Sequence, residues 1–465
     1  MNPPTQGDGT GTRLSRRTVL LAGGLVVMTA GGFLALANVR EPGDRPLGVG
    51  PDLDDLPVAE VPAPTDRPVE VVYCAGWDAG ARAPVSPMSE SVARAQDASG
   101  GQYAVVLLVD GTARAVVEVC WAEHHAELWH VDADGRRYRG VAYRRWPDGR
   151  LRLFEVRSWN YAGSHAPEFD GDQPTFRARV RRDATAAIKT IGITAVQSDG
   201  STLQTSRDWS DGSNWPESAP PPEDVAVPAV DGWPGLAGMT GPATARPGPA
   251  VVPTHFPWRP PRPLRPRHIA ETVTEGARFR TDDGRALTVR RLPVGTIRLP
   301  SGRVVVADPA WLDDGSTPLA TTAPPGEYPV DVFQVVEDGT GTTTTAACRV
   351  TITDAPVTSW HLALLEGDHE LALGDGEFFG NPVDTATLAL VDHTGVAAYQ
   401  EAEIETAMSG DGPYRTLSAE GTDLIIVKGW SDGANPVWLG RAEDGSLGCY
   451  VLDFLAPDLA TAQPA

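Results

Sequence analysis

The chain has 465 residues and contains little of several residue types on which common chemistries depend. It has four cysteines, and no two are spaced as Cys-x-x-Cys, which argues against a thiolate metal cluster or a thioredoxin-like site. Only Lys189 and Lys428 are lysines among 39 basic residues. No glycine-rich phosphate loop or dinucleotide fingerprint follows a predicted strand, and the nine histidines show no metal-binding spacing. No cofactor, metal or catalytic residue is therefore predicted.

Long apolar runs are also missing, except for one near the N-terminus. Arg16 and Arg17 precede an apolar stretch, residues 18–39, that no acidic residue interrupts. A basic end, an apolar middle and small residues around Ala37 are typical of an export signal, and the adjacent arginines resemble the twin-arginine type. Cleavage near Ala37 would give a secreted protein. Without cleavage, residues 18–39 would form a single membrane-spanning helix with the N-terminus in the cytoplasm. Both alternatives predict an extracytoplasmic protein.

The net charge of −22 is unevenly distributed. From residue 300 onward there are 26 acidic and 5 basic residues, a balance of −21, whereas the first 299 residues hold 35 acidic and 34 basic residues. Such an acidic body repels nucleic acid and anionic lipid. We therefore predict no nucleic-acid partner, and a membrane contact only through residues 18–39.

Composition and turn residues divide the chain into segments and predict a mainly β fold. The expected architecture is two antiparallel β domains, meander- or sandwich-like, joined by a Pro-rich linker after the export signal or membrane helix. The predicted segments are a leader (1–40), a disordered tether (41–67), an N-terminal β domain (68–215), a linker (216–270), an acidic C-terminal β domain (271–455) and a disordered tail (456–465).

Asp-Gly pairs separate the β-rich runs of the N-terminal domain, which indicates an antiparallel meander with type I′ turns. These pairs are Asp110-Gly111, Asp134-Gly135 and Asp148-Gly149. Two helices are predicted. One begins at Pro87 after Ser86 and ends near Ala98, and the other covers Val396–Met408.

The linker contains 15 prolines between residues 216 and 270, which argues against central strands or a helix. We interpret it as an extended segment that drapes over the domains, because Trp233, Phe256 and Trp258 need a surface on which to dock. A proline-rich ligand for another protein is the alternative.

Gly429-Trp430-Ser431-Asp432-Gly433 matches the Gly-x-Ser-x-Gly pattern of serine hydrolases and follows a predicted strand. No helix is predicted after it, and no histidine follows in the sequence, so we interpret it as a tight turn. Residues 209–214 nearly repeat residues 430–435, which favours a turn over a duplicated nucleophile. The thirteen tryptophans are expected mostly in the core, with a sugar-stacking surface as the alternative.

The cysteines allow two states. Outside the cytoplasm one disulfide in each half is attractive, pairing Cys74 with Cys120 and Cys348 with Cys449. Four buried free thiols are the alternative.

Several motifs of the last third occur in a recognisable order. They are Leu299–Pro309, Pro325–Val330, Trp360 with Ala363, Gly380–Asp384 running into Asp392, Gly429–Gly433, and Asp453-Phe454. This order resembles the bacterial family called domain of unknown function 4241, over roughly residues 290–455. The family supplies no reaction. It implies a set of shared positions, which are Asp308, Asp384, Asp432 and Asp453 with Gly326, Gly433 and Trp430.

The predicted site is therefore a binding surface that contains Asp308, Asp384, Asp432 and Trp430. The aspartates are expected to cap local backbone amides at strand ends. If they converge, they could instead bind a cation or act as acid and base.

The leading functional hypothesis is an exported, envelope-associated protein that binds an envelope polymer or a protein partner rather than catalysing a reaction. The alternatives are an extracellular hydrolase that uses clustered carboxylates and a component of interbacterial conflict or immunity.

Overall fold

The computed structural model describes residues 25–29, 32–35, 56–198, 200–208, 215, 220–419 and 421–465. These residues belong to two compact units. The N-terminal unit comprises Val49–Arg265 and Leu364–Glu377, and the C-terminal unit comprises Met1–Gly48, Pro266–Ala363 and Phe378–Ala465, each as far as the structure describes it. The chain is mainly β with antiparallel sheets, as the sequence predicts.

Part of the apolar leader is described as two short antiparallel strands, β1 (Leu25–Thr29) and β2 (Gly32–Ala35). Strands therefore stand where the anchor alternative expected a helix. The β-branched residues of β1, which are Val26, Val27 and Thr29, favour extended backbone over a helix. Among the described residues, no helix combines the length and the apolar character that a membrane crossing needs.

The N-terminal unit is built on one twelve-stranded sheet. Its strands are β3 (Val69–Asp78), β4 (Ala83–Pro87), β5 (Gln102–Val109), β6 (Thr112–Cys120), β7 (His125–Val131), β8 (Arg137–Arg145), β9 (Arg150–Trp159), β10 (Thr175–Arg182), β11 (Ile188–Val196), β12 (Thr202–Asp208), β13 (Asp224–Ala226) and β14 (Ala243–Ala245). The order is β12-β11-β10-β9-β8-β7-β6-β5-β3-β14, with β4 on β3 and β13 on β9. The run from β5 to β11 is the predicted antiparallel meander, and β12 extends it by one strand that was not predicted.

One of the three Asp-Gly turns has the predicted conformation. Asp110 and Gly111 both have positive φ, 50° and 76°, which is the type I′ geometry of a two-residue hairpin. At the other two turns only Gly135 and Gly149 have positive φ. These hairpins therefore use a longer loop in which the glycine alone takes the left-handed conformation.

Helix α1 (Glu90–Ser99) begins three residues later than predicted. Ser89 rather than Ser86 is the N-cap, and its hydroxyl accepts the amide of Val92 at 3.3 Å. Pro87 is instead the last residue of β4, where it lies opposite Cys74 of β3. The helix ends at Gly100, whose φ of 79° suits the left-handed C-terminal position.

The described part of the Pro-rich segment up to residue 265 packs within the N-terminal unit and is not an open linker. It contributes β13, helix α2 (Trp233–Leu236) and β14. Trp233 is fully buried and donates to the Tyr103 hydroxyl at 3.3 Å, and Trp258 donates to the Ala75 carbonyl at 2.9 Å. Burial of large indole rings offsets the entropy lost on ordering the segment.

Residues 56–67, assigned to the disordered tether, also have structure. Leu56 and Ala59 are buried, and the Ala59 amide donates to Ser158 Oγ at 3.2 Å. Thr65 forms a bridge to Met239 in the Pro-rich segment. The burial of Leu56 and Ala59 is not predicted by the composition of this segment.

The C-terminal unit divides its strands among smaller sheets. The strands are β15 (Arg278–Arg280), β16 (Ala286–Leu299), β17 (Val304–Ala307), β18 (Gly326–Glu337), β19 (Thr343–Thr351), β20 (Ser359–Leu362), β21 (Phe378–Phe379), β22 (Asn381–Val383), β23 (Thr387–Asp392), β24 (Tyr414–Ala419), β25 (Thr422–Lys428), β26 (Gly433–Asn435), β27 (Val437–Arg441), β28 (Leu447–Asp453) and β29 (Gln463–Pro464). The sheets run β20-β27-β28-β19-β18-β16-β15-β29, β17-β23-β25-β24, β22-β26 and β2-β1-β21.

Two helices accompany these sheets, α3 (Ile269–Thr272) and α4 (Glu401–Met408). Helix α4 ends where predicted but begins five residues late, because a 3₁₀ turn occupies His393–Ala398. Ile404 of α4 packs with buried residues of β17, β23 and β25, which form the core of the four-stranded sheet.

The C-terminal tail is ordered, contrary to the prediction for residues 456–465. A 3₁₀ turn covers Pro457–Leu459, and β29 pairs with β15 at the edge of the large sheet. Ala462 is fully buried. These backbone pairings explain why a short, proline-containing tail adopts a defined structure.

Candidate functional site

Asp308 follows β17 and is buried in the C-terminal unit. One carboxylate oxygen accepts the amide of Ala310 at 2.8 Å and caps the 3₁₀ turn Pro309–Trp311. The other accepts the amides of Asp384 at 2.8 Å and Thr385 at 3.0 Å, and the Thr385 hydroxyl donates at 2.9 Å. A carboxylate has about four acceptor positions, so these donors occupy the group.

Residues 384–386 form a loop to which Asp384 and Asp432 contribute in different ways. Asp384 contributes its backbone amide, while its side chain is exposed. Asp432 accepts the amide of Ala386 at 3.0 Å. Ala386 has a φ of 50°, a conformation that costs energy in a residue with a Cβ and persists where neighbouring bonds hold it. The structure thus brings Asp308 and Asp432 to one loop, where both carboxylates bind backbone amides.

Trp430 is presented by the turn that follows β25. Its indole N–H donates to the Phe454 carbonyl at 2.6 Å, and 39% of the residue is exposed. Gly429 packs against the Phe454 ring so closely that a Cβ would lie 2.8 Å from a ring carbon, and its amide donates to the Ala386 carbonyl at 2.7 Å. The indole is therefore held at its N–H edge in a residue that stays partly accessible.

A groove of about 380 Å³ lies beside this indole. We call it the Trp430 groove, and its lining residues are Gln334, Thr343, Thr344, Thr345, Gly412, Pro413, Lys428, Gly429 and Trp430. Lys428 is half-buried, and its ammonium donates to the Gly410 carbonyl at 2.7 Å. The lining is therefore mostly hydroxyl, amide and backbone, with one aromatic ring and one cation.

Asp392 and Asp453 also serve the backbone. Asp392 is fully buried and accepts the amides of Ser301 and Thr394, both at 2.9 Å. Asp453 accepts the Leu455 amide at 2.8 Å and the Trp438 indole N–H at 3.0 Å, and burial raises the pKa of its carboxyl. Asp392 and Asp453, two further aspartates of the family pattern, therefore also cap backbone amides.

Ser431 is not arranged as a nucleophile. Its hydroxyl donates to the Asp432 carbonyl at 3.0 Å, and the strand β26 follows instead of a helix. The similar segment Trp209–Asn214 lies outside the described residues, so the internal repeat stays a prediction. Within the described part of the chain, no group of three or more His, Cys, Asp or Glu side chains is placed to hold a metal ion.

The structure does not pair the cysteines as the disulfide hypothesis expected. All four are buried free thiols, and burial raises the pKa of Cys74 to about 12 and that of Cys449 to about 11. Cys348 lies opposite Leu452, three residues from Cys449 on β28. An odd offset places the two side chains on opposite faces of the sheet.

Cys74 and Cys120 share a face but are separated by a strand. Cys74 pairs with Ala104 and Cys120 with Gln102, so β5 lies between them. Two strand spacings amount to roughly 9.5 Å, beyond the roughly 7 Å that a disulfide spans between Cα atoms.

The N-terminal unit holds a buried ionic network that the sequence analysis missed. Glu155 on β9 contacts Arg157 at 3.1 Å, Arg177 at 2.6 Å and Arg179 at 3.0 Å. Burial acts to raise the pKa of Glu155, but Arg177, Arg157 and Arg179 together lower it to about 2. Glutamate within an apolar strand pattern, as in Leu151–Val156, was the signal that could have revealed it.

Residues 364–377, which we call the acidic clasp, complete this network within the N-terminal unit. Glu377 is buried and binds Arg179 at 2.6 Å, and Asp368 binds Arg181 at 3.1 Å. The Leu373 carbonyl accepts Arg144 at 2.9 Å. Glu155, Glu377 and Asp368 each pair with at least one arginine, so the geometry of the network fits a structural role.

Sequence comparison agrees with the resemblance at the C-terminal unit. Residues 297–452 match the model of the family described as "Protein of unknown function (DUF4241)". This stretch is a DUF4241 domain. No curated protein and no solved structure gives a significant match to the chain. Asp308, Asp384, Trp430 and Asp432 all lie within the DUF4241 domain.

Proposed function

We propose that this protein is exported and acts at the cell envelope by binding a ligand at the surface around Trp430. The support for export is the leader, in which Arg16 and Arg17 precede the apolar residues 18–39. The mature protein would be secreted after cleavage near Ala37 or remain anchored through residues 18–39.

The observation that carries the binding role is the use of the family carboxylates. Asp308 and Asp432 hold the loop Asp384–Ala386, and this loop bonds in turn to Gly429 beside Trp430. These carboxylates therefore serve to position a partly accessible indole. Preorganised aromatic side chains bind ligands well because little conformational freedom remains to be lost.

The hydrolase alternative requires two carboxylates that face a substrate, one as acid and one as base or nucleophile. Asp308 is enclosed by neutral donors, which leaves no acceptor position for a reacting proton. Asp384 has an exposed carboxylate, but the Asp432 carboxylate at the same loop is bound to the Ala386 amide. The geometry therefore favours binding over this hydrolase mechanism. No observation singles out a role in interbacterial conflict.

Export is tested with the full chain in a bacterial host with a twin-arginine pathway. We expect the wild-type protein in the membrane or medium fraction and an Arg16→Lys/Arg17→Lys variant in the cytosol. N-terminal sequencing of each fraction then distinguishes an anchor from a cleaved signal. Wild-type protein found wholly in the cytosol with its leader intact would contradict the proposal.

Binding is tested with protein purified from the fraction in which the wild type is found. The purified protein is incubated with washed cell envelopes. We expect wild-type protein to sediment with the envelopes and Trp430→Ala to remain in the supernatant. Val251→Ala is the control, because Val251 is an exposed apolar residue of the other unit. Equal sedimentation of all three proteins would exclude the surface around Trp430.

A further inference from the structure

We propose that the Trp430 groove binds an uncharged glycan chain, with one sugar ring stacked on the Trp430 indole. This inference rests on the proposed function, since it names the ligand class for the same surface. The four exposed large apolar residues in the described chain are Val61, Val251, Val252 and Trp430, so Trp430 is the one aromatic ring among them.

The indole offers the surface that a sugar ring needs. The face of an aromatic ring carries partial negative charge and attracts the polarised C–H groups on the flat side of a pyranose. The N–H edge of Trp430 is already bound to the Phe454 carbonyl, so the ring face, and not the N–H, is the part available to a ligand. Because this bond ties the indole to the backbone of Phe454, the ring is held before the ligand arrives.

The rest of the groove matches the hydroxyl groups of a sugar. Thr343, Thr344 and Gln334 carry groups that both donate and accept hydrogen bonds, as sugar hydroxyls do. Some of these groups already have partners, since Thr344 donates to Asp458 at 3.2 Å and Gln334 accepts from Arg290 at 2.6 Å. Such bonds orient the side chains. A purely apolar ligand would cover this polar lining without pairing it, which costs free energy.

The volume and charge of the groove narrow the ligand class. About 380 Å³ is at the lower end of the range for small-ligand sites, which suits a few sugar rings of a longer chain in an open groove. Lys428 is the one charged lining residue, and its ammonium already has a carbonyl partner. Residues 300–465 carry 26 acidic and 5 basic residues, so a polyanion would be repelled. An uncharged glycan avoids that repulsion.

The experiment is isothermal titration of the purified full chain with soluble hexasaccharides. The uncharged probes are maltohexaose, cellohexaose and chitohexaose, and the anionic probe is hexagalacturonate. We expect saturable binding of at least one uncharged probe, none of hexagalacturonate, and roughly a tenfold or greater loss of affinity in Trp430→Ala. Trp430→Tyr, which keeps a stacking face, should retain much of the affinity.

Trp360→Ala is the matched control, because it removes a partly exposed indole of the same unit that lines a different cavity. Circular dichroism of each variant checks folding, and Thr343→Val tests the groove without altering the indole. Equal affinity of wild type, Trp430→Ala and Thr343→Val would overturn the inference, as would binding of the anionic probe alone.

The titration also separates this inference from the function on which it rests. If wild-type protein sediments with envelopes in a Trp430-dependent way but binds none of the uncharged probes, the glycan assignment is wrong and the binding function stands. A competing peptide or protein partner is then identified by protease treatment of the envelopes. If envelope binding is absent as well, the proposed function fails.

Discussion

Two aspartates of the DUF4241 domain, Asp308 and Asp384, illustrate how neighbouring residues of one pattern take different roles. The Asp308 carboxylate is buried and accepts bonds from three residues, whereas the Asp384 carboxylate is exposed and only its backbone amide is used. The sequence predicts capping for both because aspartate at a strand end suits local amides. It does not reveal that Asp308 caps a loop 76 residues away.

We expect Asp308→Ala to lower the free energy of unfolding by about 3 kcal/mol, because the amides of Ala310, Asp384 and Thr385 lose their acceptor. Asp384→Ala should change it by less than about 0.5 kcal/mol, as is usual for an exposed side chain. Urea unfolding of the two variants checks the difference. Equal stability losses would show that Asp308 does not act as a structural acceptor.

Glu155 gives a prediction about pH. Burial opposes its ionisation, but Arg177, Arg157 and Arg179 lower its pKa from the ordinary 4.5 to about 2. Since the folded state binds this proton less tightly than the unfolded chain, the stabilisation is complete above about pH 4.5 and is lost as the pH falls towards 2.

Glu155→Gln should therefore cost about 3 kcal/mol of unfolding free energy at pH 7 and progressively less towards pH 2. Urea unfolding of wild type and variant at several pH values provides the measurement. A difference that stays constant across this range would mean that Glu155 is not held ionised by the three arginines.

At the scale of elements, the turns and the buried strands are predicted better than the segments between them. Asp110-Gly111 forms the expected type I′ turn, because two successive residues with positive φ have few sequence solutions. The acidic clasp was not predicted at all. Its bonds to Arg179 and Arg181 join residues almost 200 positions apart, and local patterns carry no information about such pairs.

The acidic clasp should depend on its buried pair. Glu377→Ala leaves Arg179 without one of its carboxylates in a buried setting, and we expect a loss of about 3–5 kcal/mol together with faster proteolysis within residues 364–377. Asp375→Ala removes a partner of exposed Arg259 and should cost less than about 1 kcal/mol. Unfolding curves and cleavage-site mapping measure both effects. An intact, protease-resistant clasp in Glu377→Ala would contradict the role of the pair.

At the scale of the whole molecule, the sequence predicts the class of fold and the charge contrast but not the extent of ordered chain. Mainly β structure follows from alternating strands and glycine turns, and the DUF4241 domain follows from its ordered motifs. The tether, the Pro-rich segment and the tail look unstructured by composition. Their few apolar residues, such as Leu56, Trp233 and Ala462, are nevertheless buried by distant parts of their own units. Composition gives the number of apolar residues, but it does not show whether the folded unit provides a surface that buries them.

The central claim is that Asp308 and Asp432 hold backbone amides of residues 384–386 and thereby position Trp430. Hydrogen exchange across the whole chain, read by mass spectrometry, tests it most directly. We predict that the amides of Asp384, Thr385 and Ala386 are protected in wild type, that Asp308→Ala exposes the first two and that Asp432→Ala exposes the third. Exchange of these amides at the rate of a free peptide in the wild-type protein would contradict the claim.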